Sequence, residues 1–195
     1  MFQTAATPKR LFRILPDHIQ YPDQWFLDDP LTADGKEIDS RDFTYGVPYR
    51  GPLPAVGQIG NAGRELAFNF GAFDMPVVSA EVANIIWQIA PLDVQCFSIN
   101  IPCAVGTYQI LNAVCSLDCL DEERSEFTLW QEGDHRPDLI GQYHSIPDIR
   151  IDPYRTDDHH VFRILNWHVA LLVSDTIKDA LAEIPDLGVV FKQAS

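Results

Sequence analysis

Basic residues are scarce in this sequence relative to acidic ones. Fourteen Lys and Arg stand against 28 Asp and Glu, a formal net charge of −14. So negative a chain is repelled by phosphate backbones and anionic lipid, which argues against nucleic acid and membrane as partners and favours something basic. Long apolar runs are also missing, since no stretch approaches the roughly 20 residues that cross a bilayer. The start, Met1 to Arg10, lacks the apolar region that follows the basic end of a secretory leader, so a cytoplasmic location is the expectation. Cysteine is sparse: Cys96, Cys103, Cys115 and Cys119 are expected as reduced thiols in that compartment. On one extended strand Cys115 and Cys119 would lie about 13 Å apart, too far to share an ion. There is no Cys-x-x-Cys pair and no His at ligand spacing nearby, so neither a metal nor a cofactor is expected.

Catalytic signatures are equally thin. Gly60-Asn-Ala-Gly63 lacks the Lys-Ser/Thr of a phosphate-binding loop and the spacing of a dinucleotide fingerprint, and no Gly-x-Ser-x-Gly elbow occurs. The best enzymatic candidate is Asp157-Asp-His-His160, two carboxylates beside two imidazoles. It would suit a metal-dependent hydrolase, yet adjacent His residues on an extended chain point to opposite sides. A solvated turn before the next strand explains the same residues.

What the chain does have is core material. Hydrophobic residues make up 46% and aromatics 11% of 195 residues, enough for one domain over 1–195. Its first part, 1–62, is dense in Pro and Gly and reads as an irregular wrap, with short extended pieces at Leu11–Leu15 and Gln24–Leu27 and with Trp25, Phe26 and Phe43 as anchors. The remainder, 63–195, reads as an α+β core, strand-rich and mainly antiparallel, with about two short amphipathic helices. Ser79 caps the first helix, with Val82, Ile85, Ile86 and Ile89 on one face and Pro91 as the stop. Ser174 caps the second, with Ile177, Ala180, Leu181 and Ile184 on one face before Pro185. Both helices lie between strand-like segments, so the two units look like a duplication, although ordinary capping rules produce the same pattern. Val94–Ile101 and Thr107–Leu117 read as a hairpin whose second strand is apolar on both faces and central in its sheet.

That second strand hands over abruptly to acid. Asp118-Cys-Leu-Asp-Glu-Glu-Arg-Ser-Glu126 carries five carboxylates in nine residues, and residues 118–158 hold 12 Asp and Glu against 4 Lys and Arg. A local field of one sign steers an oppositely charged partner and weakens with salt. Asp118, Asp121, Glu122, Glu123 and Glu126 are therefore the candidate binding residues, with Asp157 and Asp158 as possible additions. Leu120 and Phe127 within the same segment read as core.

The stretch Tyr108-Gln-Ile-Leu-Asn-Ala-Val-Cys-Ser-Leu-Asp-Cys-Leu-Asp-Glu-Glu-Arg-Ser-Glu-Phe127 resembles the hallmark of a bacterial immunity-protein family. That family is the eleventh numbered immunity family of polymorphic toxin systems, first catalogued as a domain of unknown function. The resemblance extends to Trp25–Pro30, Asp34–Asp39, Phe70–Ser79, Asp138–Tyr143, Ile149–Pro153, His160–Arg163, Asn166-Trp167 and Val173–Leu181. It implies a non-enzymatic protein that binds a cognate toxin and blocks it, with no catalytic residues to carry over. The charge suggests a basic toxin, for which a nuclease would be suitable.

Overall fold

A computed structural model describes residues 9–195, so residues 1–8 of the stretch read as lacking a leader lie outside the described residues. In chain order the strands begin with β1 (Leu11–Pro16), β2 (Phe26–Leu27), β3 (Ile59–Asn61), β4 (Phe68–Gly71) and β5 (Met75–Ser79). Helix α1 (Ala80–Ile89) follows, then β6 (Val94–Ile99), β7 (Tyr108–Ala113), β8 (Ser116–Leu117), β9 (Glu126–Leu129) and β10 (Tyr143–Asp148). The last elements are β11 (Val161–Ile164), β12 (Trp167–Ser174), α2 (Asp175–Leu181) and β13 (Val189–Gln193). This is the α+β, strand-rich and mainly antiparallel fold expected from the sequence.

The strands form a six-stranded sheet in the order β3-β2-β4-β5-β7-β6, a five-stranded sheet in the order β13-β1-β12-β11-β8, and a separate β9–β10 ribbon. Only the β2–β4 and β8–β11 pairings between named strands are parallel. Each helix starts where the sequence places it, because its cap is local. The Ser79 hydroxyl accepts from Val82 N–H at 3.2 Å and the Ser174 hydroxyl from Ile177 N–H at 3.4 Å.

The two helical units share a topology. In one, the β4–β5 hairpin leads through α1 to β6, and β7 lies between β5 and β6. In the other, the β11–β12 hairpin leads through α2 to β13, and β1 lies between β12 and β13. Each is a helical crossover between parallel strands that straddle one antiparallel strand. The inserted strand comes after the first unit and far ahead of the second. Hence Leu11–Pro16 is no mere extended piece of a wrap: Phe12 is paired with both Val173 and Gln193.

Alternation along the strands sorts their side chains onto two faces. Phe12, Ile14, Val161, Leu171 and Val173 of the five-stranded sheet join Phe68, Val78 and Leu111 of the six-stranded sheet and the apolar faces of α1 and α2 in one core. The other face of the six-stranded sheet is covered by Trp25, Ile38 and Phe43, which pack on Leu27, Val77, Ile99 and Ile110. Trp25 and Phe43 are the anchors the sequence suggests, whereas Phe26 is 37% exposed. The other face of the five-stranded sheet is covered by Cys119, Leu120, Ile146, Ile149 and Ile151, packed on Leu11, Phe162, Ile164 and Leu172.

One expected strand is two. Thr107–Leu117 breaks between β7 and β8 because Val114 N–H donates to the Asp93 carbonyl at 2.8 Å, and Arg163 N–H donates to the Cys115 carbonyl at 2.9 Å. The chain leaves the six-stranded sheet and enters the five-stranded one. Gly46, at φ 67°, packs directly over this step, where a Cβ would lie 2.2 Å from the Ser116 hydroxyl oxygen. The acidic segment therefore departs from the seam between the sheets.

Candidate functional site

The acidic segment is apolar where it meets the sheet and charged where it turns away. Cys119 and Leu120 are buried, and Leu120 bridges Ile151 in an antiparallel pairing. Asp152 N–H donates to the Cys119 carbonyl at 2.9 Å, and Asp121 N–H donates to the Arg150 carbonyl at 2.8 Å. Burial pushes the Cys119 thiol up to about 12, so it packs as a small apolar group rather than as a nucleophile.

Asp121 opens a turn in which its carbonyl accepts from Ser125 N–H at 2.9 Å. Its carboxylate accepts from Arg124 N–H at 3.2 Å and pairs with the Arg124 guanidinium. That guanidinium holds the Asp121 carboxyl below the usual carboxylate range. Asp118 pairs with Arg155 at 2.6 Å, and the Asp152 side chain caps the following turn by accepting from Tyr154 N–H at 3.0 Å. The Tyr143 hydroxyl, on β10, donates to Glu122. Burial, and then this hydrogen bond, push the Tyr143 phenol above its ordinary value.

Together these contacts shape an open cleft of about 420 Å³, lined by Asp118, Leu120, Asp121, Glu122, Glu123, Asp152 and Arg155. Five carboxylates and one guanidinium surround one leucine. A concave surface of one sign concentrates field lines and attracts cationic side chains. Asp121 is moved toward permanent charge, away from the neutral range that acid–base catalysis uses.

Four of the seven sequence-predicted residues thus share this cleft: Asp118, Asp121, Glu122 and Glu123. Glu126 does not line it. It begins β9 opposite Asp148 and is exposed. Asp157 and Asp158 line a different cleft, of about 290 Å³, with Ile89 to Asp93 and His159 and His160. Asp152 and Arg155 were not among the predicted residues. The signal for Asp152 lay in Ile149-Arg-Ile-Asp-Pro153, which pairs with the acidic segment only in three dimensions, and Arg155 follows two residues beyond it.

The Asp157-Asp-His-His160 group is not assembled as a metal site. His160 Nδ1 lies 2.8 Å from the Ser174 hydroxyl at the α2 cap, and His159 Nδ1 lies 2.7 Å from an Asp93 oxygen. Each imidazole is engaged by a different element. Among the described residues, the His, Cys, Asp and Glu side chains that do converge are Asp93, Cys115 and His159. Asp93, which the sequence reading passed over, is the buried carboxylate of that group.

This α+β fold presents an open acidic cleft, a surface whose charge suits a cationic partner. The model of the immunity protein family Imm11 matches residues 75–195, and the chain belongs to that family. The match holds both helical units' helices, the acidic segment and both clefts' acidic residues. The resembling motifs at Trp25–Pro30 and Asp34–Asp39 lie upstream of it. No curated protein matches the chain. Among the described residues no helix is long and apolar enough to cross a membrane.

Proposed function

We propose that this protein binds a cognate toxin domain and neutralises it, acting in the cytoplasm as a stoichiometric inhibitor rather than an enzyme. Membership of the immunity family supports a toxin as partner. The acidic cleft supports a basic one, contacted by Asp118, Asp121, Glu122 and Glu123 together with Asp152. Glu126, Asp157 and Asp158 extend the negative field beyond the cleft and steer the approach. A toxin that acts on nucleic acid presents a basic active-site surface, so a nuclease fits this charge. Residues 1–195 act as one unit in this reading.

The observation that carries the reading is the division of labour in one short segment. Cys119 and Leu120 are buried in the sheet's covering layer, so the backbone that carries the neighbouring carboxylates is anchored beside the cleft. Preorganised charge binds without the ordering cost that a flexible acidic tail incurs.

Co-expression with the toxin encoded beside this gene is the direct experiment. Rescue of growth and co-purification are expected, and failure of both rejects the reading. Replacing Asp121, Glu122 and Glu123 by Lys should weaken the complex and flatten its salt dependence. Unchanged affinity and unchanged salt dependence would place the contact on another surface.

A further inference from the structure

Three segments distant in sequence meet at the seam between the sheets: the turn before β6 with Asp93, the β7–β8 junction with Cys115, and the loop before β11 with His159. Asp93 is 4% exposed and rigidly held. One carboxylate oxygen accepts from His160 N–H at 2.6 Å and from Val161 N–H at 3.1 Å. The other faces His159 Nδ1 at 2.7 Å. Cys115 is fixed by the bond from Arg163 N–H to its carbonyl. One ligand atom from each of Asp93, Cys115 and His159 lies within 4.8 Å of the others.

We propose that Asp93, Cys115 and His159 bind one divalent transition-metal ion of the zinc class, clamping the six-stranded and five-stranded sheets together.

The donor set selects the ion. A thiolate and an imidazole favour zinc or a similar borderline cation, whereas calcium and magnesium require oxygen cages. Charge also balances, because one carboxylate and one thiolate offset the two charges of the ion in a partly buried site. Tetrahedral zinc, with bonds of about 2.0 to 2.3 Å, spaces its ligand atoms about 3.3 to 3.7 Å apart. The Asp93–His159 pair must open by roughly half an ångström, which a small imidazole rotation supplies. Loading displaces the Cys115 proton to solvent and requires the His159 tautomer protonated at Nε2. A fourth ligand, water or a partner's side chain, has access from the cleft that Asp157 and Asp158 line. The His160 and Val161 N–H groups that hold one Asp93 oxygen serve as outer supports that aim the other.

The experiment uses the full chain, stripped with chelator, reloaded with Zn²⁺, desalted and analysed for metal. About one ion per chain is expected for a single site. With Co²⁺ in its place, a thiolate-to-cobalt charge-transfer band should appear. Cys115→Ser should abolish that band and weaken zinc binding about tenfold or more, since even outer-shell losses reach that range. His159→Gln should weaken it similarly, with circular dichroism reporting whether the fold is retained. Absence of stoichiometric metal in the unaltered protein overturns the proposal. So does full retention in Cys115→Ser, which would assign the ion to the acidic cleft. No toxin enters this measurement, so its failure and the failure of the toxin-binding reading are distinguishable.

Discussion

Arg155 Nη2 lies 2.6 Å from an Asp118 carboxylate oxygen, so the cation lining the acidic cleft already occupies one of its carboxylates. In the proposed complex, a basic side chain of the partner would compete with it for Asp118. Both groups are well exposed, at 46% and 69% of their side-chain surface, so the pair contributes little to stability. Arg155→Gln should leave the denaturation midpoint nearly unchanged while making the cleft more negative. Surface-binding kinetics against the toxin should then show faster association and a steeper salt dependence. Slower association would mean that Arg155 itself contacts the partner.

The two halves of the acidic segment should respond oppositely to mutation. Leu120 is 2% exposed, so Leu120→Ala should cost about 2 to 5 kcal/mol of stability through lost burial and a residual cavity. Glu123→Lys changes a side chain on the open side of the cleft and should leave stability within about 0.5 kcal/mol, whereas Glu122→Lys also removes the acceptor of the Tyr143 hydroxyl and should cost up to about 1 kcal/mol. Urea unfolding of the three variants, beside toxin binding at a temperature where all are folded, separates anchoring from recognition.

The second helix should be the more sensitive of the two to loss of its cap. Ser174 is fully buried, accepts from Ile177 N–H and also contacts His160 Nδ1. Ser79 caps α1 through Val82 N–H. Ser79→Ala should cost about 1 kcal/mol. Ser174→Ala should cost more, by about 1 kcal/mol, because it also strips a partly buried imidazole nitrogen of its partner. Equal losses in chemical denaturation would show that the His160 contact adds nothing.

Glu65 ties the loop before β7 to the β4 side of the sheet. Its carboxylate accepts from Val105 N–H at 2.9 Å, Gly106 N–H at 2.7 Å and the Tyr108 hydroxyl at 3.1 Å. Burial alone would raise its pKa, but the three hydrogen bonds together outweigh it and hold the carboxyl below its ordinary value. A depressed folded pKa gives stability that is present above the unfolded value and lost as pH falls through the folded one. Glu65→Gln should therefore lower stability at neutral pH and reduce the acid-side slope below the ordinary carboxylate range. An unaltered slope would mean that other carboxyls carry the acid sensitivity.

The parts of the fold that were legible in the sequence are those set by near neighbours. Ser79 and Ser174 announce their helices because a cap acts over three residues, and α1 ends just ahead of Pro91 as a helix must. Strand β1 was not legible in its true role, since Leu11–Pro16 gains its partners only from residues at the other end of the described chain. The break between β7 and β8 was hidden for a related reason: both faces of Tyr108–Leu117 are apolar, and nothing local shows that Asp93 will intercept Val114 N–H. Arg163 shows the limit of periodicity, because it is fully buried within Val161-Phe-Arg-Ile164 and desolvation brings its pKa down to about 10. The acidic cleft was half visible. Its local carboxylates cluster in sequence, but Asp152 and Arg155 join them through the Leu120–Ile151 pairing.

Strand β1 also sets the timing of folding. The first helical unit, β4 to β7, is contiguous in sequence and can assemble as soon as it is synthesised. The second cannot be completed by its own segment, because the strand that fills its gap was made long before and must be held in waiting. Until β12 and β13 arrive, Leu11, Phe12 and Ile14 are apolar groups without a home, on a strand with two unpaired edges. Such long-range closure is slow relative to local assembly. The interval between synthesis of the first and last strands is therefore when this protein is most exposed to misassociation, and when its dense negative charge does most to keep copies apart.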